Sequence, residues 1–396
     1  MKNIQTHSPG YKSAYFRFFF FPLCALCVLC VSISAQDFRT VRDGIEYAEV
    51  TREISGQQVR MNLLRLDLTK VRLDVVHAMD AAIGTEKTSS IATRHGAFAA
   101  INAGFFRLDN SIFAGDPAGV LKIDGKVLSE SNSNRIALFL ENKPNETVTF
   151  LSHLNIGGTL LIGKRRFFNF GLNRQRTEDD LVIFTPEFGR TTLTDPNGLE
   201  VIIRRGKITQ IRNGKGSSPI PVDGFVISAT GRKRVEVLRR VKIGVISREQ
   251  FSSWGFGEGL SDNPINQLPP FSTSEDIVGG VPELVRNGKI HLTWEQEKSS
   301  KSFVETRHPR TAVAKLKDGK FLMITVDGRS ESSGGIGLYD LSNYLLELGA
   351  SDAMNLDGGG STTMFLDGKV VNHPSDKEGE RKVSDAILVF PRGKIH

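Results

Sequence analysis

FLMITVDGRSESSGGIGLYDLSNYLLELGASDAMNLDGGGSTT, residues 321–363, is the stretch around which the rest of the chain can be arranged. It opens with an apolar, partly β-branched run, typical of a buried strand, which stops at Asp327-Gly328. After a loop rich in Ser and Gly, leucines recur at helical spacing over 338–348, and Gly349 follows where a helix commonly ends. A second short strand, 353–356, ends at Asp357. The stretch therefore predicts a β-loop-α-β unit over 321–357.

Asp327 and Asp357 each follow the carboxyl end of a predicted strand. If the two strands are parallel neighbours joined by the helix, both carboxylates face the crevice in which open α/β sheets bind ligands. Two carboxylates at one edge could perform acid–base chemistry or hold a divalent metal. A lone Asp-Gly pair would indicate only a turn.

Three glycines and a serine follow Asp357 directly, namely Gly358, Gly359, Gly360 and Ser361. Because glycine has no side chain, a substrate can approach this backbone and several N–H groups can converge on one anion. Together with the two acids at strand ends, this pattern favours a functional site over a capped turn.

Residues 1–35 have the composition of a signal peptide. A basic start without acidic residues precedes an apolar run at 18–31, which is short for a membrane span, and Ser34-Ala35 offers a cleavage point. A retained N-terminal anchor, or lipid attachment at Cys30, are the alternatives. All three cysteines lie in this segment, so the exported chain would have no disulfides. The expected location is secreted, periplasmic or cell-envelope.

The formal net charge of +7 over 396 residues is spread along the chain. No basic run is interleaved with aromatic residues, so the sequence does not support binding to nucleic acid. No second apolar run reaches membrane length, so no stable membrane span is expected after signal cleavage.

The pattern predicts an α+β fold, a mixed-sheet catalytic domain with many β-hairpins. Alternating apolar and polar residues predict an N-terminal antiparallel strand region over 36–83. The catalytic domain is expected over 84–396, and its strand-rich middle, 150–270, is expected to belong to the same fold.

Three further side chains are candidates for the site. Asn102 ends a predicted strand, and its amide could hold a sugar hydroxyl or acetamido group, although a turn role is an equal alternative. Arg310 enters a strand one hairpin away from Asp327 and could grip a phosphate, or form an orienting ion pair. Arg381 precedes the last predicted strand and could face the same cleft.

Six motifs in order resemble those of the phosphodiester glycosidase family, over roughly residues 90–392. They are Asn-Ala-Gly-Phe-Phe at 102–106, Gly-Gly-Val-Pro at 279–282, Arg-His-Pro-Arg-Thr-Ala-Val-Ala at 307–314, Val-Asp-Gly-Arg at 326–329, Asn-Leu-Asp-Gly-Gly-Gly-Ser-Thr-Thr at 355–363 and Arg-Lys-Val-Ser at 381–384. The positions that the resemblance marks as functional are Asn102, Gly104, Arg310, Asp327, Asp357, Gly358, Gly359, Gly360, Ser361 and Arg381.

The resemblance implies cleavage of a sugar-1-phosphodiester at its glycosidic bond, on a substrate like a GlcNAc-1-phosphodiester in an exported glycan. Because phosphate is a weak base, stabilising the oxocarbenium-like centre and the departing anion matters more than general-acid help. Arg310 and the 358–361 backbone, with Gly104 and Arg381, would bind substrate phosphate. Asp357 and Asp327 would share the roles of nucleophile, base and orienting group, and Asn102 would hold a sugar substituent.

Two other functions remain open from the sequence. In a metal-dependent phosphodiesterase, Asp327 and Asp357 would hold Mg²⁺ or Ca²⁺ and the P–O bond would break. In a non-catalytic carbohydrate-binding envelope protein, the same cleft would only bind. No cofactor is expected for the glycosidase, with a divalent cation as the open alternative.

Overall fold

The computed structural model describes residues 37–130, 134–168, 170–254 and 271–393. The predicted signal peptide at 1–35 lies outside these ranges. The protein is mostly β, with 46% strand and 12% helix, so helices contribute less than the predicted α+β class implies. None of the helices in the described part is long and apolar enough to cross a bilayer.

Helices are few and short. Those in the described ranges are α1 (Thr88–His95), α2 (Gly231–Leu238), α3 (Lys301–Glu305) and α4 (Leu338–Glu347), with 3₁₀ turns at Ala78–Asp80, Pro186–Phe188 and Gly359–Ser361.

Strands make up most of the chain. Before residue 169 they are β1 (Arg39–Arg42), β2 (Ile45–Ile54), β3 (Gln57–Leu66), β4 (Val71–His77), β5 (Glu86–Lys87), β6 (Ala99–Asn102), β7 (Leu121–Ile123), β8 (Lys126–Ser129), β9 (Ile136–Asn142), β10 (Thr147–His153), β11 (Asn155–Ile162) and β12 (Arg165–Phe168). The next six are β13 (Gly171–Leu172), β14 (Leu181–Phe184), β15 (Leu199–Arg204), β16 (Lys207–Asn213), β17 (Gly224–Ala229) and β18 (Ser247–Trp254). The last ten are β19 (Asp276–Gly279), β20 (Glu283–Arg286), β21 (Lys289–Ile290), β22 (Arg310–Leu316), β23 (Phe321–Val326), β24 (Ala350–Asn355), β25 (Met364–Leu366), β26 (Lys369–Val370), β27 (Lys382–Val383) and β28 (Asp385–Pro391).

The largest sheet has eight strands in the order β1-β2-β3-β23-β22-β24-β20-β21, and every neighbouring pair is antiparallel. Its central strands are buried on both faces. Along β23, Phe321 and Met323 join one apolar core while Leu322 and Ile324 join another. The second core is covered by α4, whose leucines pack into it. Double burial explains why this run is continuously apolar instead of alternating.

The predicted β-loop-α-β unit differs from the observed one. The two strands were expected to be parallel neighbours in a mixed sheet, but β22 lies between them and pairs antiparallel with both. The reason is local: β22 and β23 form a hairpin across Asp318-Gly319, and a hairpin places its strands side by side. β23 and β24 still run in the same direction, so their carboxyl ends share one edge.

The N-terminal strands are integral to the fold. β3 pairs with β23 along six residues, and β4 pairs with β28 along seven. Residues 36–396 form one compact unit, with no boundary at residue 84. The predicted lead-in region therefore supplies strands to the same sheets that carry the site.

The remaining strands form smaller sheets. They are β26-β25-β6-β28-β4, β10-β9-β19-β7-β8, β12-β11-β18, β13-β14-β17-β15-β16 and the two-stranded β27-β5. Among the described strand pairs only β13 and β14 are parallel. The strand-rich middle region builds its own apolar core, around Leu181, Val201 and Ile227.

Candidate active site

The site lies at the sheet edge where β23 and β24 end and β22 begins. Arg310, the first residue of β22, pairs with Val326, and Ala312 pairs with Asn355. Asp327 therefore leaves the sheet beside Arg310, and Asp357 follows two residues after the end of β24. Antiparallel pairing to one intervening strand brings these three predicted residues to one edge.

Asp357 is held by its own backbone. Its N–H donates to the Ala103 carbonyl at 2.9 Å, and its carbonyl accepts from Asn102 Nδ2 at 2.7 Å. Its carboxylate Oδ1 accepts from the Gly358 N–H at 2.9 Å. The residue remains partly open to solvent. These contacts fix the backbone of Asp357 and the orientation of its carboxylate.

The carboxyl of Asp357 has a pKa raised to about 6, mainly because the surrounding protein removes solvent from the charged form. Ser361 and the Gly358 N–H lower this pKa by hydrogen bonding, and the charge of Arg381 also lowers it. The negative charge of Asp385 raises it further. A carboxyl that titrates near pH 6 suits acid–base or nucleophilic work at physiological pH.

Asp385 is the acid that sits beside Asp357, and the sequence analysis did not identify it. It is 1% exposed, starts β28, and accepts hydrogen bonds from the Gly104 N–H at 2.5 Å and Ser384 Oγ at 2.6 Å. Burial raises its pKa. Gly104 allows this close approach, since a Cβ would stand 3.2 Å from the Asp385 carboxylate, tighter than an ordinary contact. Gly104 was predicted to bind substrate phosphate, but in the structure its N–H donates to this acid.

Asp327 lies behind the glycine loop and is 2% exposed. Its Oδ1 accepts from the His373 N–H at 3.0 Å and from Asn372 Nδ2 at 3.3 Å, and Asn372 also donates to the Thr362 carbonyl. Burial raises the pKa of Asp327. The two predicted carboxylates therefore lie at the same sheet edge but have no contact partner in common. Asp327 connects to the glycine loop through Asn372, which contacts both Asp327 and Thr362.

Asn102 is buried and its amide is occupied by the protein. Nδ2 donates to the Asp357 carbonyl, while Oδ1 accepts from Thr311 Oγ1 at 2.7 Å and from the Thr363 N–H at 3.1 Å. This placement differs from the predicted contact with a sugar substituent. Asn102 connects three strands and positions Asp357.

Arg310 is 1% exposed and donates three hydrogen bonds to backbone carbonyls, not to a ligand cleft. Nε reaches Ile336 O at 3.2 Å, and Nη2 reaches Phe303 O at 2.6 Å and Thr306 O at 2.8 Å. Burial, with Arg329 nearby, lowers its pKa to about 10. The predicted phosphate contact is therefore replaced by a structural one, although the positive charge stays at the edge of the site.

Arg329 is the arginine that remains available. It is exposed, adopts φ +60, and forms no ion pair with any acid in the described ranges. Its Nη2 lies 3.4 Å from His308 Nδ1 and would be 3.0 Å from a Cβ placed on Gly359. Left-handed backbone at a non-glycine residue is strained and is often retained for function. His308 has a lowered pKa, from burial and from the charges of Arg310 and Arg329.

The glycine loop is packed against these groups, and Gly358 and Gly359 stay partly exposed while Gly360 and Ser361 are buried. A Cβ on Gly358 would meet the Pro309 carbonyl at 2.7 Å, and one on Gly360 would meet Arg381 Nη2 at 2.2 Å. Arg381 is neutralised by Asp376 through two hydrogen bonds of 2.7 and 3.0 Å. The N–H groups of Gly358, Gly359 and Ser361 donate to Asp357 Oδ1, the Pro309 carbonyl and the Gly358 carbonyl, so the predicted convergence of these groups on an anion is not observed. The loop instead separates an arginine that has no acidic partner among the described residues from a paired one.

Among the described residues, no group of three or more His, Cys, Asp or Glu side chains is arranged to hold a metal ion. The predicted divalent-cation alternative rested on Asp327 and Asp357, which the fold keeps in separate contacts.

Sequence comparison places this arrangement in a family. The family model described as phosphodiester glycosidase matches residues 197–390, a range that holds Arg310, Asp327, the 357–361 loop, Arg381 and Asp385. The chain belongs to the phosphodiester glycosidase family.

Relatives of this chain share its sequence over part of their length. The mouse N-acetylglucosamine-1-phosphodiester alpha-N-acetylglucosaminidase is 28% identical over 184 residues, covering 44% of this chain and 33% of its own. The cattle protein of the same name is 34% identical over 125 residues, covering 29% of this chain and 22% of its own. The chain thus spans about a third or less of these relatives. Family membership supports a glycosidase-like hydrolase.

The fold is shared with a solved structure. A hypothetical protein from Synechocystis matches with a TM-score of 0.74 and 24% identity, over 90% of this chain and 64% of that one. At this identity the match concerns architecture, and it covers a larger share of the chain than the family model does.

Sequence reasoning missed Asp385 and Arg329 for different reasons. Asp385 directly follows the quoted motif at 381–384, and an acid at the start of an apolar strand is a usable signal. Arg329 lies inside the quoted motif at 326–329, but only coordinates show that it lacks an acidic partner whereas Arg310 is buried.

Proposed function

We propose that this protein is a hydrolase that cleaves the glycosidic bond of a sugar-1-phosphodiester, with a GlcNAc-1-phosphodiester-like group as substrate. The observation that carries the proposal is the juxtaposition of a rigidly held Asp357, whose pKa is about 6, with a glycine backbone bordered by the unpaired Arg329. In this proposal the Asp357 carboxylate acts at the reacting carbon, and the region beside Arg329 accommodates the departing phosphate.

In the proposed reaction the anomeric carbon faces Asp357. Asp357 acts either as nucleophile or as the base that removes a proton from water. The bond from the anomeric carbon to the phosphate oxygen breaks, and its electron pair leaves with the phosphate, which is a monoester anion after cleavage. The water oxygen ends on the sugar.

Charge at the leaving group is matched by Arg329, which borders the glycine loop. The N–H groups of Gly358, Gly359 and Ser361 already donate within the protein and hold the loop in shape. Arg310 contributes positive potential from the protein side, since burial strengthens electrostatic effects, whereas the lowered pKa of His308 keeps its ring neutral at neutral pH. Desolvation is the main cause of the raised Asp357 pKa, and the charge of Asp385 adds to it, while Asn102 keeps the Asp357 backbone in place. Asp327 and Arg381 act as positioning residues through Asn372 and Asp376 respectively.

The decisive test substitutes Asp357→Asn. Turnover of a GlcNAc-1-phosphodiester should fall at least about a hundredfold, the usual contribution of a positioned acid–base group. The folded protein should become more stable by about 1 kcal/mol, because a carboxyl with a raised pKa destabilises the fold when ionised at neutral pH and partial exposure screens much of that cost. Activity and thermal unfolding measure the two effects.

Asp367→Asn is the matched control, since Asp367 is exposed in a hairpin turn and lies outside the site. It should leave both readouts unchanged. Equal turnover by the Asp357 variant and the native protein would refute the assignment.

The competing phosphodiesterase reaction breaks the P–O bond, so isotopes separate the two. In ¹⁸O-enriched water the proposed reaction places the heavy oxygen on the anomeric carbon of the released sugar. Heavy oxygen in the phosphate, or loss of all activity with EDTA, would support the metal-dependent alternative.

We also propose that residues 1–35 direct export and are removed. The basic start, the apolar run at 18–31 and Ser34-Ala35 support this proposal. Expression of the full chain followed by N-terminal sequencing should give a mature terminus at Gln36. A terminus at Met1 in the exported protein would indicate a retained anchor.

A further inference from the structure

A charged cavity of about 440 Å³ adjoins the candidate site. Its lining includes Arg381, whose guanidinium lies against Gly360, together with Lys87, Lys377 and Lys382. Arg381 thus belongs both to the wall of this cavity and to the glycine loop. A group that leaves the loop on this side would enter the cavity.

The lining of the cavity has a small excess of positive charge, because four basic side chains accompany three acidic ones. Its acids are Asp376, Glu378 and Glu380, but Asp376 is used by Arg381, and Glu380 accepts from the N–H and Oγ of Ser89 in the first turn of α1. In the described part of the chain the three lysines form no ion pairs. The charges of Glu378 and Glu380 oppose those of the three lysines without forming ion pairs with them, which leaves an excess of one positive charge.

Two of the lysines face each other across a strand pair. Lys382 of β27 is the register partner of Lys87 of β5, and both are exposed. Like charges directly opposite in an antiparallel pair repel, which costs stability. Unfavourable local contacts without a compensating interaction are expected at functional sites, and this pair of like charges is one. An anion between the two ammonium groups would relieve their repulsion.

We propose that this cavity binds the leaving-group side of the substrate, and that this side is an anionic chain carrying further phosphodiester groups. The inference rests on the proposed function. The lysines are suited to such a chain because compact, flexible ammonium groups attract phosphate without demanding a fixed orientation. The enzyme would then favour the terminal sugar of a phosphodiester polymer over that of a small diester.

The test compares two substrates of one sugar-1-phosphodiester, one with a methyl aglycone and one with an aglycone of glycerol phosphate repeats. In the variant Lys87→Gln, Lys377→Gln, Lys382→Gln, kcat/KM for the repeat substrate should fall roughly tenfold through KM, from three weak charge contacts. The methyl substrate should be unaffected. Raising salt from about 0.05 to about 0.5 M should abolish the preference of the native protein for the repeat substrate.

A matched variant removes three exposed lysines that do not line the cavity, Lys215→Gln, Lys242→Gln, Lys289→Gln. It should keep the native preference. Equal losses in both triple variants, or on both substrates, would overturn the subsite. Lys382→Gln alone should keep or raise the Tm, since it removes a repulsion, whereas a lysine that served only the fold would lower it.

Failure of the proposed function is distinguishable from failure of the subsite. If the native protein turns over neither substrate, calorimetric binding of glycerol phosphate oligomers still decides: loss of binding in the cavity variant supports the subsite, and unchanged or absent binding overturns it. Vesicles containing phosphatidylglycerol separate a lipid surface from a soluble chain. Binding to vesicles without binding to oligomers would overturn the proposal.

Discussion

At the scale of single residues, the site depends on which charged groups are paired and which are free. Asp357 and Asp385 form the acid pair. Arg310 donates its hydrogen bonds to backbone carbonyls, whereas Arg329 remains available to a ligand. The assignment of the acid pair and that of the two arginines both follow from burial and hydrogen bonding. Each assignment predicts an effect on activity that a purely structural role would not produce.

The activity should depend on pH through Asp357. Phosphate needs little protonation to leave, so the ionised carboxylate is the working form and the rate should rise with a midpoint near pH 6. Asp385→Asn removes a negative charge that raises the Asp357 pKa, so the midpoint should move to lower pH. A pH profile of kcat/KM measures both. An unchanged midpoint, in a variant that folds, would contradict the coupling of the two acids.

Substitution of Arg329 should lower activity, whereas substitution of Arg310 should lower stability. Arg329→Gln should lower kcat/KM for the diester about tenfold or more without changing the Tm, because Arg329 is exposed and unpaired among the described residues. Arg310→Met should lower stability by about 2 kcal/mol, because three carbonyls lose their donor. Kinetics and thermal unfolding of both variants check this. Loss of stability in the Arg329 variant would argue against a ligand role.

At the scale of elements, the loop after β24 works because it has no side chains where its neighbours approach. Gly358 lies against the Pro309 carbonyl, and Gly360 lies against the ion pair of Arg381 and Asp376. The loop therefore couples the positions of two other segments to that of Asp357.

Gly360→Ala should disturb this arrangement. A Cβ would lie 2.2 Å from both Arg381 Nη2 and Asp376 Oδ1, so either the ion pair or the loop must move. We expect activity to fall more than about tenfold, since catalysis is sensitive to displacements of an ångström. Gly119→Ala adds a methyl group to open space and should be neutral. Native activity in the Gly360 variant would show that the loop is not part of the site.

The order of elements was only partly predictable. The strands, the helix over 338–347 and the turn residues could be located from periodicity, because those signals are local. The position of β22 between β23 and β24 could not, since helix-linked strands fit either a parallel pair or this arrangement. The inference that both acids share an edge survived because two strands antiparallel to a third run in the same direction.

At the scale of the whole molecule, the N-terminal strands complete two sheets. β3 covers the edge of β23, and β4 covers β28, the strand that begins with Asp385. Removing these partners would expose apolar edges and open both cores.

A chain that begins at residue 84 should therefore fail to fold, whereas one that begins at residue 37 should fold. The shorter chain loses the ladders along β23 and β28 and the buried leucines of β3. Size-exclusion chromatography and thermal unfolding measure the difference. Cooperative unfolding of the shorter chain would show that the N-terminal strands are dispensable.

By itself the sequence determined the strand ends, the acidic residues that follow them and the glycines beside Asp357, because short-range periodicity and backbone chemistry specify these. It also carried the motifs on which family membership rests. The tertiary structure decided that Asp385 accompanies Asp357, that Arg310 is buried, and that Arg329 and three lysines remain unpaired within the described residues. Such choices depend on desolvation and on partners distant in the chain, and neither is encoded in local pattern.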